Sequence, residues 1–523
     1  MRISVSSKLV ELNEVVDSLV KDQIASRIRA KDSSIWGPEA QPEASIRLGW
    51  VESAETSLPL VPQIIELRDE FRAAGLTRFV LCGMGGSSLA PEVITKNAGV
   101  ELVVLDSTDP SQVRSALNEI EKTVVVVSSK SGSTVETDSQ KRAFETAFKA
   151  AGIEPTDRIV IVTDPGSPLD KSAREAGYRV FNADPNVGGR YSALTAFGLV
   201  PSGLAGANIA GLLAAAKAAD AKLASDSIDN PALWLGAALT KTKAAAGFKD
   251  KFLVDSGALL GFGDWVEQLV AESTGKENLG TLPVVVDSTA PEFEVAASDV
   301  LVTRFVDRDA ESEDVSFFGD LGELFLLWEY ATAVAGYLLG INPFDQPNVE
   351  SAKVAARELL DSPAELTDPD FTDRGVAAKS FGFELSGQTV EAALEELFAK
   401  LADSSYVSIH AYLNRESYPQ FEALRDLIAK KTGRPVTFGW GPRFLHSTGQ
   451  YHKGGPKQGV FLQLTHQVDE DLEIEGRPFS FGTLIAAQAA GDARVLESND
   501  LPVLSLDLGN PLVDLELIKR ALS

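Results

Sequence analysis

Short apolar runs recur along the first half of the chain, and each is followed by a polar loop and then by a stretch with helical spacing. Runs that are apolar at every position are typical of strands buried on both faces of a parallel sheet. The predicted strands of this half are residues 77–82, 101–105, 123–127 and 158–162. Their alternation with helices indicates a doubly wound α/β domain.

The second half repeats this alternation less regularly, and its predicted strands are residues 252–255, 283–286, 300–306, 406–410, 435–438, 459–464 and 503–506. Before the first strand, Ile64, Leu67 and Phe71 follow a helical spacing, which predicts amphipathic flanking helices. We therefore expect an α/β protein with two doubly wound parallel-sheet domains. Its predicted parts are a helical segment packed on the first domain (1–75), the first domain (76–228), and the second domain with an additional strand-rich C-terminal region (229–523).

Two loops that follow predicted strands have the composition of an anion-binding site. Residues 128–134 contain five hydroxyls and a lysine, and they precede a helical stretch whose free N–H groups would face a bound anion. The glycine-rich loop 83–88 lies before a helix that opens near Pro91. Ser88 replaces the last glycine of a dinucleotide motif, and Lys130 precedes its glycine, so neither loop is a nucleotide signature. A phosphosugar site is favoured, although close helix–strand packing would explain either loop alone.

Charge and composition limit the classes of partner and the cellular location that we expect. The chain has 48 basic and 75 acidic residues and a formal net charge of −27, so its surface repels nucleic acids. Its one cysteine, Cys82, cannot form an internal disulfide, as expected for a reducing compartment. The longest apolar stretch, 321–344, is interrupted by Glu323 and Glu329 and predicts no membrane span. We expect a cytoplasmic protein without membrane or nucleic-acid partners.

Further segments carry groups suited to acid–base chemistry. Arg190 follows two glycines that would let the backbone approach a ligand, and its guanidinium could stabilise an oxyanion. Gln268 and Glu272 lie four positions apart on one face of a predicted helix, where a carboxylate could act as a general base. A loop with His446 and His452 has no metal-ligand spacing, which favours acid–base duty over a metal site. The alternative is that Arg190 and Glu272 are ordinary solvated surface residues.

Together these segments resemble the phosphoglucose isomerase family. The resemblance covers residues 83–91, 128–137, 187–199, 268–283 and 340–353. It implies two sugar-isomerase (SIS) domains and the interconversion of glucose 6-phosphate and fructose 6-phosphate, by ring opening and proton transfer through a cis-enediol. It also implies that no metal or organic cofactor is needed, and that the enzyme acts in glycolysis and gluconeogenesis.

The resemblance also implies roles for individual residues. The implied catalytic residues are Glu272 as general base, Arg190 as enediolate stabiliser, and Lys353 and His446 in ring opening. The implied substrate-binding residues are Gly86, Ser87, Ser129, Lys130, Ser131, Thr134 and Gln268. The family further implies a homodimer in which the histidine reaches the other subunit's site.

The order of the segments differs from that of the shorter bacterial enzymes, because the histidine loop follows the 340–353 segment here. This order resembles the isomerase part of bacterial transaldolase/phosphoglucose isomerase fusions. His446 and His452 both remain candidates for ring opening. Two other functions also remain open, a non-catalytic sugar-phosphate-binding regulator and an isomerase that also accepts mannose 6-phosphate.

Overall fold

The computed structural model describes residues 1–244, 247–295, 297–306, 314–361, 368–467 and 470–523, without the side chains of 350–353 and 361. The N-terminal segment begins with a strand and continues with helices. Its elements are β1 (Arg2–Val5), α1 (Leu12–Lys21), α2 (Ile24–Arg29), α3 (Gln41–Ala44), α4 (Ser53–Thr56) and α5 (Leu60–Ala73).

The first sheet is fully parallel and has the strand order β3-β2-β4-β5-β6. Its strands are β2 (Arg78–Gly83), β3 (Val103–Leu105), β4 (Thr123–Ser128), β5 (Ile159–Thr163) and β6 (Arg179–Asn182). The helices of this part are α6 (Leu89–Ala98), α7 (Pro110–Ala116), α8 (Val135–Ala150), α9 (Pro168–Glu175), α10 (Ala196–Ala205) and α11 (Ile209–Leu223). The central strand β4 is buried at every position, which explains its unbroken valine run.

The second sheet has the strand order β1-β12-β11-β9-β10, in which only β1 is antiparallel to its neighbour. The strands after the first sheet are β7 (Lys243–Ala244), β8 (Gly247–Phe248), β9 (Lys251–Asp255), β10 (Leu282–Val286), β11 (Val300–Phe305) and β12 (Val315–Phe318). The helices are α12 (Pro231–Lys241), α13 (Phe262–Thr274), α14 (Glu292–Val295), α15 (Leu321–Leu339) and α16 (Val349–Asp361). The short strands β7 and β8 form a separate hairpin.

The third sheet contains six strands in the order β13-β14-β18-β17-β15-β16. They are β13 (Phe371–Asp373), β14 (Val376–Phe381), β15 (Tyr406–Ala411), β16 (Val436–Trp440), β17 (Gly459–His466) and β18 (Val503–Leu508). The helices are α17 (Val390–Phe398), α18 (Leu424–Thr432), α19 (Gly449–Gly454), α20 (Phe481–Ser498) and α21 (Pro511–Leu522). Strands β15 to β18 are parallel to their neighbours in this group, and the hairpin β13–β14 extends one edge.

The predicted α/β class with parallel sheets is confirmed, and every predicted strand is present within one or two residues of its expected ends. The strand-rich C-terminal region forms a sheet of its own. The N-terminal segment was expected to be helical and to pack on the first domain, but β1 completes the edge of the second sheet. The domain boundaries themselves stay predictions.

Apolar side chains join the three sheets. One core cluster is shared by the first two sheets and the N-terminal helices, and the third sheet has its own core. Tyr451 and Phe461 of the third part pack with Leu253 and Val284 of the second sheet, while Phe481 packs with strands of the first. The third sheet therefore lies against both others. Among the described residues, no helix combines the length and the apolar character needed to cross a bilayer.

Candidate active site

Two short turns bring the first glycine-rich loop against the arginine loop. The turn Gly85–Ser87 lies against the turn Gly189–Tyr191. A Cβ atom on Gly86 would lie 2.1 Å from the carbonyl oxygen of Gly189, so no larger residue fits this close approach. Ser87 is half-buried at the end of its turn. Loop 83–88 and the arginine loop therefore meet in a direct backbone contact.

Arg190 is held rigidly beside Glu272. Its guanidinium donates to Ser273 Oγ at 2.7 Å and to the carbonyl oxygens of Pro343 and Asp345 at 2.8 and 2.9 Å. Its Nη1 atom lies 3.3 Å from Glu272 Oε1, and the arginine is only 3% exposed. A fixed cation next to a carboxylate can stabilise negative charge that develops on a neighbouring ligand oxygen.

Helix α13 places Gln268 and Glu272 one turn apart on the same face, as their spacing predicts. Gln268 Nε2 donates to Glu272 Oε2 at 3.1 Å and to the carbonyl oxygen of His446 at 2.8 Å. A Cβ atom on Gly85 would lie 2.6 Å from that same carbonyl oxygen. The amide, the carboxylate, the first loop and the histidine loop therefore meet at one place.

His446 forms a buried pair with a carboxylate that sequence reasoning missed. Its Nε2 atom lies 2.9 Å from Glu136 Oε1, and the two side chains are 13% and 6% exposed. The same oxygen accepts from Gln488 Nε2 at 2.7 Å, and Gln488 Oε1 accepts from Thr108 at 2.7 Å. Because a carboxylate accepts, the imidazole carries its hydrogen on Nε2 and leaves Nδ1 for a ligand. The available signal was an acidic residue in the first turn of the helix that follows the cradle.

His452 lies elsewhere, in the core of the third part of the chain. It is 3% exposed, its Nε2 atom is 3.4 Å from Ser408 Oγ, and its ring stacks on His410 at 4.9 Å. Burial, with the charge of neighbouring groups, holds the pKa of His452 well below its usual range. Of the two candidate histidines, only His446 reaches the residues of the site.

All of these groups come from one chain. The resemblance implied that the histidine reaches the other subunit's site, whereas His446 here contacts Glu136 and Gln268 of its own chain. The physical reason is the third sheet, which packs on the first two and brings the histidine turn over α8 and α13. This geometry favours a site within one chain, and the shared site implied by the resemblance stays a prediction.

The hydroxyl-rich loop forms a compact cradle before α8. Ser129 Oγ accepts from the Gly132 N–H at 3.0 Å and lies 3.5 Å from Thr134 Oγ1, while Ser131 and Ser133 share a hydrogen bond of 2.7 Å at the surface. Thr134 is the N-cap of α8, but its side chain makes no capping bond. The first N–H groups of a helix have no partner within the helix, and beside these hydroxyls they are suited to a phosphate group.

The cradle loop also contains Lys130, and Thr137 follows it in α8. Lys130 Nζ pairs with Asp164 at 2.6 Å and donates to the carbonyl oxygen of Val187 at 2.9 Å. The lysine therefore ties the cradle to the arginine loop, and a direct contact with phosphate stays a prediction. Thr137 Oγ1, in the first turn of α8, is buried and has no hydrogen-bond partner among the described residues. Sequence reasoning did not select Thr137.

Lys276 is a second buried cation that sequence reasoning did not select. Its Nζ atom donates to the carbonyl oxygens of Asn342 and Asp345 at 2.7 and 2.6 Å and pairs with Asp345 Oδ1 at 2.6 Å. Burial, and then the charge of Arg190, lower the pKa of Lys276 to about 8. The two cations together fix the segment that leads into α16. Lys353 belongs to that helix, but its side chain lies outside the described residues.

Metal binding finds no support in the part of the chain that the structure describes. No group of three His, Cys, Asp or Glu side chains in these residues could hold a metal ion. Cys82 is buried, and burial raises the pKa of its thiol far above the usual range, so it is not a nucleophile.

The fold and the site together define an α/β enzyme of the sugar-phosphate isomerase class. The profile of the phosphoglucose isomerase family matches residues 70–292. A probable glucose-6-phosphate isomerase of Natronomonas pharaonis is 30% identical over 53% of this chain and 78% of that protein. A glucose-6-phosphate isomerase of Geobacter is 29% identical over 56% of this chain and 67% of that protein. The profile match and these relatives show that the chain belongs to the phosphoglucose isomerase family.

Solved structures agree at the level of the fold. A glucose-6-phosphate isomerase from Chlamydia trachomatis has a TM-score of 0.55 at 19% identity, covering 70% of this chain and 89% of that one. A hypothetical protein from Thermus thermophilus has a TM-score of 0.56 at 24% identity, covering 68% of this chain and 99% of that one. Since the family profile ends at residue 292, His446 lies well beyond the matched range.

Proposed function

We propose that the protein interconverts glucose 6-phosphate and fructose 6-phosphate by ring opening and proton transfer through a cis-enediol. The observation that carries the proposal is the meeting of Glu272, Arg190 and the His446–Glu136 pair in one site. An enediol mechanism needs one base for carbon, one cation for the developing oxyanion and one acid for the ring oxygen. These three groups supply those roles.

The phosphate binds at the N-terminus of α8. Ser129, Ser131 and Thr134 contact its oxygens, and the buried hydroxyl of Thr137 adds a donor from the first turn of the helix. The positive end of the helix dipole favours a dianion there. Because the phosphate does not react, this binding energy is shared by the ground state and the transition state and serves to position the sugar.

Ring opening uses His446. As an imidazolium, it keeps one N–H on Glu136 and gives the Nδ1 proton to the ring oxygen as the bond between that oxygen and the anomeric carbon (C1 of glucose, C2 of fructose) breaks. The hydroxyl on the same carbon gives its proton to solvent water and becomes the carbonyl. Glu136 stabilises the charged ring and, with Gln488, fixes its orientation. Lys353 assists this step by family resemblance.

Proton transfer uses Glu272. In the open-chain aldose, its carboxylate removes the proton from C2, and the C1 carbonyl oxygen takes the negative charge of the cis-enediolate. Arg190 stabilises that charge, and Gln268 contacts a sugar hydroxyl. Return of the proton to C1, with proton exchange between the two oxygens, gives the ketose without net oxidation or reduction.

The test is a coupled assay with fructose 6-phosphate as substrate and a chelator present. We expect glucose 6-phosphate to form at the same rate with and without the chelator. Binding of the sugar phosphate without turnover would instead identify a sugar-phosphate-binding regulator. Mannose 6-phosphate as a second substrate tests the dual-specificity alternative.

By family resemblance, we also propose that the protein acts as a homodimer in the cytoplasm on this small-molecule substrate. Light scattering coupled to size-exclusion chromatography measures the oligomeric state directly. A constant monomer mass across the working concentration range would contradict the homodimer.

A further inference from the structure

An ionic cluster lies at the start of the turn that carries His446. Arg443 Nη2 and Nη1 lie 2.7 Å from Glu92 Oε2 and 3.2 Å from Asp106 Oδ2. Arg415 reaches the other oxygens of the same carboxylates, at 3.3 and 3.4 Å. We refer to Glu92, Asp106, Arg415 and Arg443 as the arginine clamp.

The clamp joins two different parts of the fold. Glu92 lies in α6 and Asp106 directly follows β3, so both acids belong to the first sheet's part of the chain. Arg415 and Arg443 follow β15 and β16 of the third sheet. The side chain of Arg443 is 11% exposed, and although burial alone would raise the pKa of Glu92, the two arginines hold it well below its usual range. The clamp is therefore a charged, mostly buried contact between the first and third sheets.

Three residues of the turn Arg443–His446 make contacts with other parts of the fold. Arg443 extends to the clamp, and Phe444 packs against Tyr412 and His410, with ring centroids 5.5 and 4.0 Å apart. His446, three residues after the arginine, contacts Glu136 with its ring and Gln268 with its carbonyl oxygen. One short turn thus spans from the clamp to the site.

We propose that Arg443 is a positioning residue, which holds the His446 imidazole at the ring oxygen of the substrate by anchoring its turn to Glu92 and Asp106. The proposal rests on the proposed isomerase function. The planar guanidinium bridges two separate carboxylates, whereas a lysine amine is a single point charge and cannot keep both contacts in the same geometry. Loss of this anchor shifts the imidazole and slows ring opening without touching Glu272.

The matched control is Arg425, another arginine of the third sheet's part. It pairs with Glu292 of the second sheet's part at 2.5 Å and is 10% exposed, so it also joins two parts of the fold through a buried ion pair. It lies in α18, outside the histidine turn. A general loss of stability would affect Arg425→Lys and Arg443→Lys alike.

The kinetic experiment compares two substrates. Fructose 6-phosphate must open its ring, whereas 5-deoxyfructose 6-phosphate lacks the hydroxyl that closes the ring and is always open. A displacement of about 1 Å costs on the order of 100-fold in rate, so we expect Arg443→Lys to lower kcat for fructose 6-phosphate by about 10- to 100-fold. Its rate with the open-chain substrate should stay within about 3-fold of the parent, and Arg425→Lys should change neither.

The second measurement is a double-mutant cycle with fructose 6-phosphate. If Arg443 acts through His446, then Arg443→Lys should have no further effect in a His446→Ala background. Additive losses, equal losses on both substrates, or no loss in Arg443→Lys would each overturn the proposal.

A readout without turnover separates this proposal from the proposed function. The chain has only four histidines, so the His446 ring signal can be assigned by nuclear magnetic resonance from its absence in His446→Ala. Arg443→Lys should shift or broaden that signal, and Arg425→Lys should not. An unchanged His446 signal in Arg443→Lys would refute the positioning role even if the parent protein proved inactive as an isomerase.

Discussion

The structure brings His446 and Glu272 together within one chain, and this arrangement can be tested by mixing inactive variants. His446→Ala removes the proposed ring-opening acid, and Glu272→Gln removes the proposed carbon base. The distances that join the two residues through Gln268, 2.8 and 3.1 Å, lie within one chain. Each variant alone should lose about 10²- to 10⁴-fold in turnover with fructose 6-phosphate, as expected for a positioned acid or base.

The expected recovery follows from symmetry. When equal amounts of the two variants pair at random, roughly half of the dimers are mixed. If sites are shared between subunits, one of the two sites in each mixed dimer is intact. Shared sites therefore predict roughly a quarter of the parent activity in the unseparated mixture and roughly half in purified mixed dimers. Sites built within one chain predict no recovery, because every chain lacks one essential group.

The assay is co-expression of the two variants with different affinity tags, tandem purification of mixed dimers, and the coupled isomerase measurement. Co-expressed parent chains with the same tags are the control for activity after purification. Recovery of roughly half of the parent rate in the purified mixed dimers would refute the assignment of His446 to its own chain's site. If the two variants form no mixed dimers, the activity of the parent protein is measured over a dilution series. Activity per chain that does not change with dilution would also support a site within one chain.

Three further outcomes follow from the geometry of the site. Glu272→Gln should abolish exchange of the C1 and C2 protons with solvent while calorimetry still detects sugar-phosphate binding, and retained exchange would remove this residue from the mechanism. Gly86→Ala should lower kcat/KM by at least about 10-fold, because its Cβ would lie 2.1 Å from the Gly189 carbonyl oxygen; Gly188→Ala, with open space, is the matched control. Burial lowers the pKa of Lys276 to about 8, so its charge and ion pair are present below that pH and lost above it. Activity should therefore fall above about pH 8, and Lys276→Arg should remove that fall; an unchanged pH profile would contradict the assignment.

Local sequence determined the elements of this protein. The unbroken apolar runs predict the strands because a strand buried on both faces has no position for a polar residue. The spacing of Gln268 and Glu272 places them on one helix face, and the predicted polar stretch 135–150 is the helix Val135–Ala150. The short strand β6 escaped prediction because it is half-buried throughout and lacks an apolar run.

The tertiary structure alone decided which elements meet. Strand β1 joins β12, more than 300 positions later, through backbone hydrogen bonds that carry no sequence signature. His446 and Glu136 are 310 positions apart, and neither residue's neighbours along the chain indicate the other. Arg443 and Lys276 carry no sequence signal of burial, and they become buried anchors only when the sheets pack together. Periodicity reports whether a residue is buried, whereas the identity of its partner depends on packing across the whole chain. The sequence therefore predicted the chemical groups, and the fold decided that the histidine turn lies against α8 and α13.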